Sequence, residues 1–96
     1  MKESQIERRL VEGVKRLGGM CLKFVSPGTL GVPDRIIITA KGRVIFVALK
    51  AETGRLTKIQ RYVIGEMQKR GADVRVVKGI DAVKELLAEI EGGDEA

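Results

Sequence analysis

The 96-residue sequence contains no histidine, no tryptophan and a single cysteine, Cys21. Without histidine the chain cannot form the Ser-His or Cys-His pairs of nucleophilic enzymes, and it has no imidazole for general acid–base catalysis. One cysteine excludes an internal disulfide, a Cys₄ zinc site and the Cys₂His₂ zinc finger. Any catalysis must therefore depend on carboxylates, lysines, hydroxyl groups or a hard metal ion.

Aromatic residues and long apolar runs are also scarce. The three aromatic side chains are Phe24, Phe46 and Tyr62, too few for the stacking platforms of common single-strand binders. No apolar run approaches the ~20 residues of a membrane span, and the N-terminus lacks the apolar segment of a secretory signal. We therefore expect a cytoplasmic protein with no membrane partner.

Positive charge is concentrated in one half of the chain. The net charge is +5, and residues 1–50 carry ten Lys and Arg against four Asp and Glu. A basic half-domain suits a polyanion such as DNA, because Lys and Arg contacts to phosphates release counterions. A merely solvated basic surface explains the charge equally well.

The periodicity of apolar residues predicts one α/β domain over residues 1–91, with a disordered tail over 92–96. The predicted order is α-β-β-β-α-β-α, with a mixed central sheet flanked by helices. A Pro/Gly-rich loop over 26–33 separates the first two strands. The predicted elements are a helix over 4–17, strands over 20–25, 35–39 and 43–50, a helix over 57–70, a strand over 73–78 and a helix over 81–91.

Helical spacing also predicts which side chains face the core. The expected inward residues are Ile6, Leu10, Val14 and Leu17 in the first helix, Ile59, Val63 and Met67 in the second, and Val83, Leu87 and Ile90 in the third. The third strand is nearly all apolar, which predicts a central strand buried on both faces.

Two short segments meet at one edge of the predicted hairpin. Asp34 begins the second strand, and Lys50 ends its antiparallel partner. Residues 48 and 50 share a face because strand side chains alternate. A carboxylate, position 48 and an amine therefore converge, as in metal-dependent phosphodiesterases. Position 48 holds Ala48, where such a site needs an acid.

Pro33-Asp34 followed by Ala48-Leu49-Lys50 resembles the motif of the PD-(D/E)XK nuclease superfamily. The surrounding residues resemble the VRR-NUC (virus-type replication-repair nuclease) family over about residues 3–80. The matching features are Ile6-Glu7, Gly18-Gly19, Lys23, the phrase SPGTLGVPDR, Gly42-Arg43, Phe46-Val47, Leu49-Lys50 and Gln60.

This resemblance implies a restriction-endonuclease-like fold and DNA cleavage that depends on Mg²⁺ or Mn²⁺. It also implies a preference for branched double-stranded DNA, such as Holliday junctions or flaps, and a phage or bacterial source. Because junctions are two-fold symmetric, we expect a homodimer.

The resemblance also assigns roles to individual residues. Asp34, Glu7 and an acid at position 48 would hold the metal, and the Leu49 carbonyl would add a ligand. Lys50 would position the attacking water, and Gln60 would reach water or phosphate. Glu3 is the fallback for Glu7.

Each assignment has a structural alternative. Ser4 to Glu7 and Thr57 to Gln60 both read as helix capping boxes. Asp34 could cap a turn, and Lys50 could be an ordinary lysine at a strand end.

Ala48 departs from the family, which has an acid there. It is explained either by an introduced Glu→Ala substitution or by a natural pseudo-nuclease, and the intact remainder of the motif favours the first. Either way we expect weak metal binding and no activity.

The predicted phosphate contacts are a group of five basic residues, namely Lys23, Arg35, Arg43, Arg55 and Lys58. The main function predicted is therefore a metal-dependent endonuclease. The alternatives are a non-catalytic DNA-binding module on the same fold and an enzyme acting on small phosphate esters. Cys21 is expected to be a small buried apolar residue.

Overall fold

A computed structural model describes residues 1–95 of the chain and contains the seven predicted elements in the predicted order. None of the helices in this part of the chain is long and apolar enough to cross a membrane. The elements are α1 (Glu3–Arg16), β1 (Met20–Lys23), β2 (Arg35–Ile38), β3 (Val44–Lys50), α2 (Lys58–Lys69), β4 (Val74–Lys78) and α3 (Gly79–Glu95).

The four strands form one mixed sheet in the order β1-β2-β3-β4. The β1–β2 and β2–β3 pairs are antiparallel, whereas β3 and β4 are parallel and are connected through α2. The predicted hairpin and the predicted strand–helix–strand unit are both confirmed. The α/β class with a mixed sheet between helices is confirmed as well.

Strand β3 lies in the interior of the sheet, as its near-continuous apolar sequence predicts. Ile45, Val47 and Leu49 belong to the main core beneath α1 and α3. Ala48 belongs to a second, smaller cluster on the opposite face. Because side chains alternate along a strand, this parity places Ala48 and Lys50 together on the face that carries α2.

Helices α1 and α3 cover the first face of the sheet. Ile6, Leu10 and Val14 of α1 are buried there together with Val83 and Ile90 of α3, as predicted. Leu17 and Leu87 are partly buried against the same cluster. This layer holds eleven of the buried residues, so it is the principal source of hydrophobic stabilisation.

Helix α2 is turned differently from the prediction. Its buried residue is Ile64, which packs with Ala48 and Val74. Ile59, predicted to face the core, is 49% exposed, and Val63 and Met67 are only partly buried. The prediction was wrong because α2 covers only part of the sheet. The helix therefore buries fewer of its apolar side chains than its sequence pattern indicates.

The end of α3 also differs from the prediction. The helix begins at Gly79 and continues through Glu95, so residues 92–95 are helical where a disordered tail was predicted. Arg43 supports this end, because it forms an ion pair with Glu89 and its guanidinium lies against Gly93. A tertiary contact thus offsets the low helix propensity of the two glycines. Residue 96 lies outside the described residues.

The loop over residues 26–33 is anchored to the start of α2 at Gly31. Gly31 has φ +87°, a region that favours glycine, and a Cβ there would lie 2.8 Å from the carbonyl oxygen of Ile59. At Gly31 the loop therefore approaches the backbone of α2 more closely than a residue with a Cβ would permit. This contact fixes the chain just before Pro33 and Asp34.

We predict that Gly31→Ala destabilises the fold much more than Gly42→Ala. Gly42 has a similar φ of +88°, but nothing lies within 4 Å of a Cβ placed on it. The Gly42 variant should lose only the left-handed strain of about 1–2 kcal/mol. The Gly31 variant should lose about 1–3 kcal/mol more from the collision with Ile59. Urea unfolding of both variants measures the difference, and equal losses would contradict the close approach.

Candidate functional site

The Asp34 carboxylate is joined to the central strand by a hydrogen bond. Asp34 lies one residue before β2, and its Oδ2 accepts a hydrogen bond of 2.7 Å from the backbone N–H of Leu49. Leu49 is buried, so this N–H has no access to solvent. The side chain of Asp34 therefore supplies an acceptor that the buried backbone needs.

Asp34 lies beside residues 47–49 of the neighbouring strand. Its N–H donates to the Val47 carbonyl at 2.9 Å and its carboxylate accepts from the Leu49 N–H, while the regular pairing of β2 with β3 begins one residue later, at Arg35 and Val47. Ala48 is 2% exposed and Lys50 is half-buried on the same face. The convergence of Asp34, position 48 and Lys50 stays a prediction.

Glu7 takes part in a different interaction. Its Oε2 accepts a hydrogen bond of 2.7 Å from Nε of Arg35, and the Arg35 guanidinium also donates to the carbonyl of Cys21. Arg35 and Ile37 share a face of β2, and Ile37 belongs to the core under α1 and α3. Glu7 is thus engaged on the α1 side of the sheet, away from the face of Ala48 and Lys50.

The acids present do not form a complete metal site. Among the side chains that the structure describes, those of residues 1–93, no three His, Cys, Asp or Glu come close enough together to hold a metal ion. Oδ2 of Asp34 accepts from the Leu49 N–H, Oε2 of Glu7 accepts from Arg35, and the Ala48 side chain has no ligand atom. The fallback acid Glu3 is exposed in the first turn of α1. The side chains of this chain therefore do not fit Mg²⁺ as they stand.

One capping alternative is confirmed and the other is wrong. Thr57 caps α2 by accepting from the Gln60 N–H, and the Gln60 side chain accepts from the Thr57 N–H at 2.8 Å. At α1 the reciprocal bond joins Gln5 to the Lys2 N–H instead of joining Glu7 to Ser4. The helix begins one residue earlier than predicted, which moves the capping position along the chain.

The five predicted phosphate contacts separate into two groups. Arg35 is paired with Glu7, and Arg43 is paired with Glu89 at 3.6 Å. Their guanidinium groups therefore already have carboxylate partners on α1 and α3, and their contact with phosphate stays a prediction. Lys23, Arg55 and Lys58 are exposed and form no ion pair with the described residues. These three are free to meet a phosphate.

Cys21 has no reactive character in this structure. It is partly buried against the main core, as predicted, and burial raises the pKa of its thiol to about 11 although Arg35 acts in the opposite direction. The thiol is therefore protonated at neutral pH, which excludes a nucleophilic thiolate.

Sequence reasoning did not find two of the contacts that shape this region. Nothing in the spacing of Glu7 and Arg35, which are 28 residues apart, indicates that they pair. The bond from the Leu49 N–H to Asp34 was also not predicted, although the position of an acid directly after Pro33 provides a signal. A carboxylate just before a strand can accept a hydrogen bond from a backbone N–H of the partner strand.

Comparison with known proteins finds a similar phage protein and a similar solved structure. No family model matches the chain. "Putative nuclease p44" of Acyrthosiphon pisum secondary endosymbiont phage 1 is 45% identical over 60 residues, which are 62% of this chain and 64% of that protein. The match thus spans less than two thirds of the phage protein. A solved VRR_NUC domain is similar over 92% of this chain and 96% of its own, with a TM-score of 0.84 and 29% identity.

The structural role of Asp34 can be measured by itself. Asp34→Ala should lower the free energy of unfolding by about 1–3 kcal/mol, because it leaves the buried Leu49 N–H without an acceptor. Asp34→Asn keeps an acceptor oxygen and should lose less. Urea denaturation in a metal-free buffer provides the values. If the alanine variant is as stable as the parent, the hydrogen bond contributes nothing to the fold.

Proposed function

We propose that this chain, which has the fold of a solved VRR_NUC domain, is built as a metal-dependent DNA endonuclease and that, with Ala48, it binds DNA without cutting it. The observation that carries this proposal is the placement of Asp34 beside residues 47–49 of β3, a strand whose Ala48 and Lys50 share the face that carries α2. Replacing the Ala48 side chain by a carboxylate would give two acids beside an amine.

A carboxylate at position 48 would face Asp34 across the β2–β3 pair. Two facing acids repel each other, and a divalent cation such as Mg²⁺ or Mn²⁺ relieves this repulsion. Such an ion polarises a phosphoryl oxygen and lowers the pKa of bound water. The Leu49 carbonyl is the further ligand that the family resemblance suggests, whereas we assign Glu7 to its ion pair with Arg35.

Lys50 is the residue of this site that acts on the phosphodiester. Its backbone belongs to β3, whose buried residues on both sides hold the strand in place. The ammonium group is directed to the face of Ala48, where it can hold the attacking water and offset the negative charge that develops on the phosphate. Gln60, whose side chain caps α2, positions the start of that helix beside the site.

DNA is the substrate that the charge distribution favours. The basic excess lies in residues 1–50, and Lys23, Arg55 and Lys58 are exposed without an ion pair in the described part of the chain. Contacts from such side chains to phosphates bind DNA without reading its sequence. We propose branched double-stranded DNA, a four-way junction or a flap, as the preferred form, in line with the family resemblance.

A homodimer is the assembly that we propose, and an apolar surface supports it. On the α2 face, the part of the sheet beyond the helix exposes Met20 (54%) and Leu22 (41%) of β1 and Val44 (47%) of β3. Ile36 and Ile38 between them are only half-buried. A connected apolar patch of this kind is costly in water, and a second copy related by a two-fold axis would cover it.

The main alternative is a DNA-binding module that never had catalytic activity. Ala48 packs with Ile64 and Val74 in a buried apolar cluster. This environment favours the alternative, because a carboxylate buried there would need a charged or hydrogen-bonding partner. An enzyme acting on small phosphate esters is the third alternative, and it would need an enclosed pocket around its substrate.

The Ala48→Glu variant tests the nuclease proposal. We expect it to cut a four-way junction or a flap in Mn²⁺ or Mg²⁺, whereas the parent and Ala48→Gln bind the same DNA without cutting it. The variant should be less stable than Ala48→Gln without metal, since a second buried carboxylate faces Asp34, and Mn²⁺ should raise its melting temperature selectively.

The outcomes of this experiment separate the alternatives. Metal-dependent stabilisation with DNA cleavage supports the nuclease. DNA binding by all three proteins, with no cleavage and no metal effect in Ala48→Glu, supports the non-catalytic module. Faster hydrolysis of a mononucleotide ester than of DNA supports the third alternative. Failure of the parent to bind DNA would exclude the first two.

Leu22→Lys tests the homodimer. A charge in the middle of the apolar patch should convert a dimer to a monomer, because burying an unpaired ammonium is strongly unfavourable. Leu30→Lys is the matched control, since Leu30 is exposed in the loop before β2 and lies outside the patch. Sedimentation equilibrium reports the mass of each protein, and a parent that stays monomeric at high concentration contradicts the dimer.

A further inference from the structure

Two lysines lie side by side at the end of the parallel strand pair. Lys50 of β3 is the register partner of Lys78 of β4. Adjacent strands lie about 4.8 Å apart, so the two side chains leave the sheet at neighbouring points. Leu49 and Val77, which precede them, both enter the main core. Lys50 and Lys78 therefore share the opposite face, the face of Ala48.

This arrangement is unfavourable without an anion. Like charges directly opposite each other on a sheet are destabilising. Neither lysine forms an ion pair with an acid whose side chain the structure describes, in residues 1–93. Glu52, in the loop after β3, lies against Gly79, where its side chain would contact a Cβ on that glycine. The two lysines thus place like charges on neighbouring strands without a direct carboxylate partner among these residues.

The backbone gives Lys78 little freedom to move away. The next residue, Gly79, is buried, has φ +82° and begins α3 beneath the Glu52 side chain. On the other side, Val77 is buried in the main core. The Cα position of Lys78 is therefore held on both sides, while its ammonium remains exposed.

We propose that Lys78 is a phosphate-binding residue that acts together with Lys50, and that the ligand is a phosphate group of the DNA backbone. An oxyanion between the two ammonium groups removes their repulsion and receives a hydrogen bond from each. The source of the phosphate depends on the proposed function, whereas the site itself depends only on the lysine pair. Lys78 lies outside the set of residues that the nuclease motif singles out.

Lys78→Gln tests the site by two independent measurements. Inorganic phosphate should raise the melting temperature of the parent but should have little effect on the variant. Without phosphate, the variant should be at least as stable as the parent, because the repulsion with Lys50 is gone. Lys84→Gln, at an exposed position of α3, removes the same charge and should respond to phosphate as the parent does.

The second measurement is the salt dependence of DNA binding. Loss of one phosphate contact changes the slope of log affinity against log salt by about 0.9. The ratio of parent to Lys78→Gln affinity should therefore rise by about 3.5-fold when salt falls from 200 to 50 mM. Lys78→Arg should keep most of the parent slope, and Lys84→Gln should leave it unchanged.

The results distinguish this site from the proposed function. If Lys78→Gln keeps both the phosphate response and the salt slope of the parent, the site is overturned, whatever activity Ala48→Glu has. If the parent binds phosphate through Lys78 but binds no DNA, the anion site is supported and the proposed function fails. A phosphate response that Lys84→Gln loses equally also overturns the site, because it then reflects net charge alone.

Discussion

The alternation of side chains along β3 is the constraint on which the rest of the structure depends. Ile45, Val47 and Leu49 enter the core beneath two helices, so the residues between them must face α2. A shift of one residue would bury Lys50 under α1 and α3, at a cost that no partner there compensates. The packing of the main core thus determines where the amine and position 48 lie.

The order of the elements could be predicted because it depends on local patterns. The β-branched run after Asp34 and the spacing of Ile6, Leu10 and Val14 each indicate one element without reference to the others. The exposure of the Ile59 side chain could not be predicted, because it depends on how much of the sheet α2 covers. The helical residues after Glu91 depend on Arg43, which lies far away in the sequence.

For the candidate site, the sequence could predict strand positions but not the partners of the charged side chains. The convergence of Asp34, position 48 and Lys50 follows from the strand period and the short turn between β2 and β3. The partners of the charged groups do not follow from it, because an ion pair such as Glu7–Arg35 is formed by the packing of α1 on the sheet. The pairing of Lys78 with Lys50 could not be predicted for the same reason, because it depends on the register of β4 against β3.

The strands lie in the sheet in the order in which they occur in the chain, and this has a consequence for synthesis on the ribosome. Each strand joins the free edge of the one made before it, so no finished strand must open to admit a later one. Local pairing of this kind avoids slow closure of long loops. Helix α3 is made after the four strands, so the apolar stripe of α1 stays partly uncovered until α3 emerges.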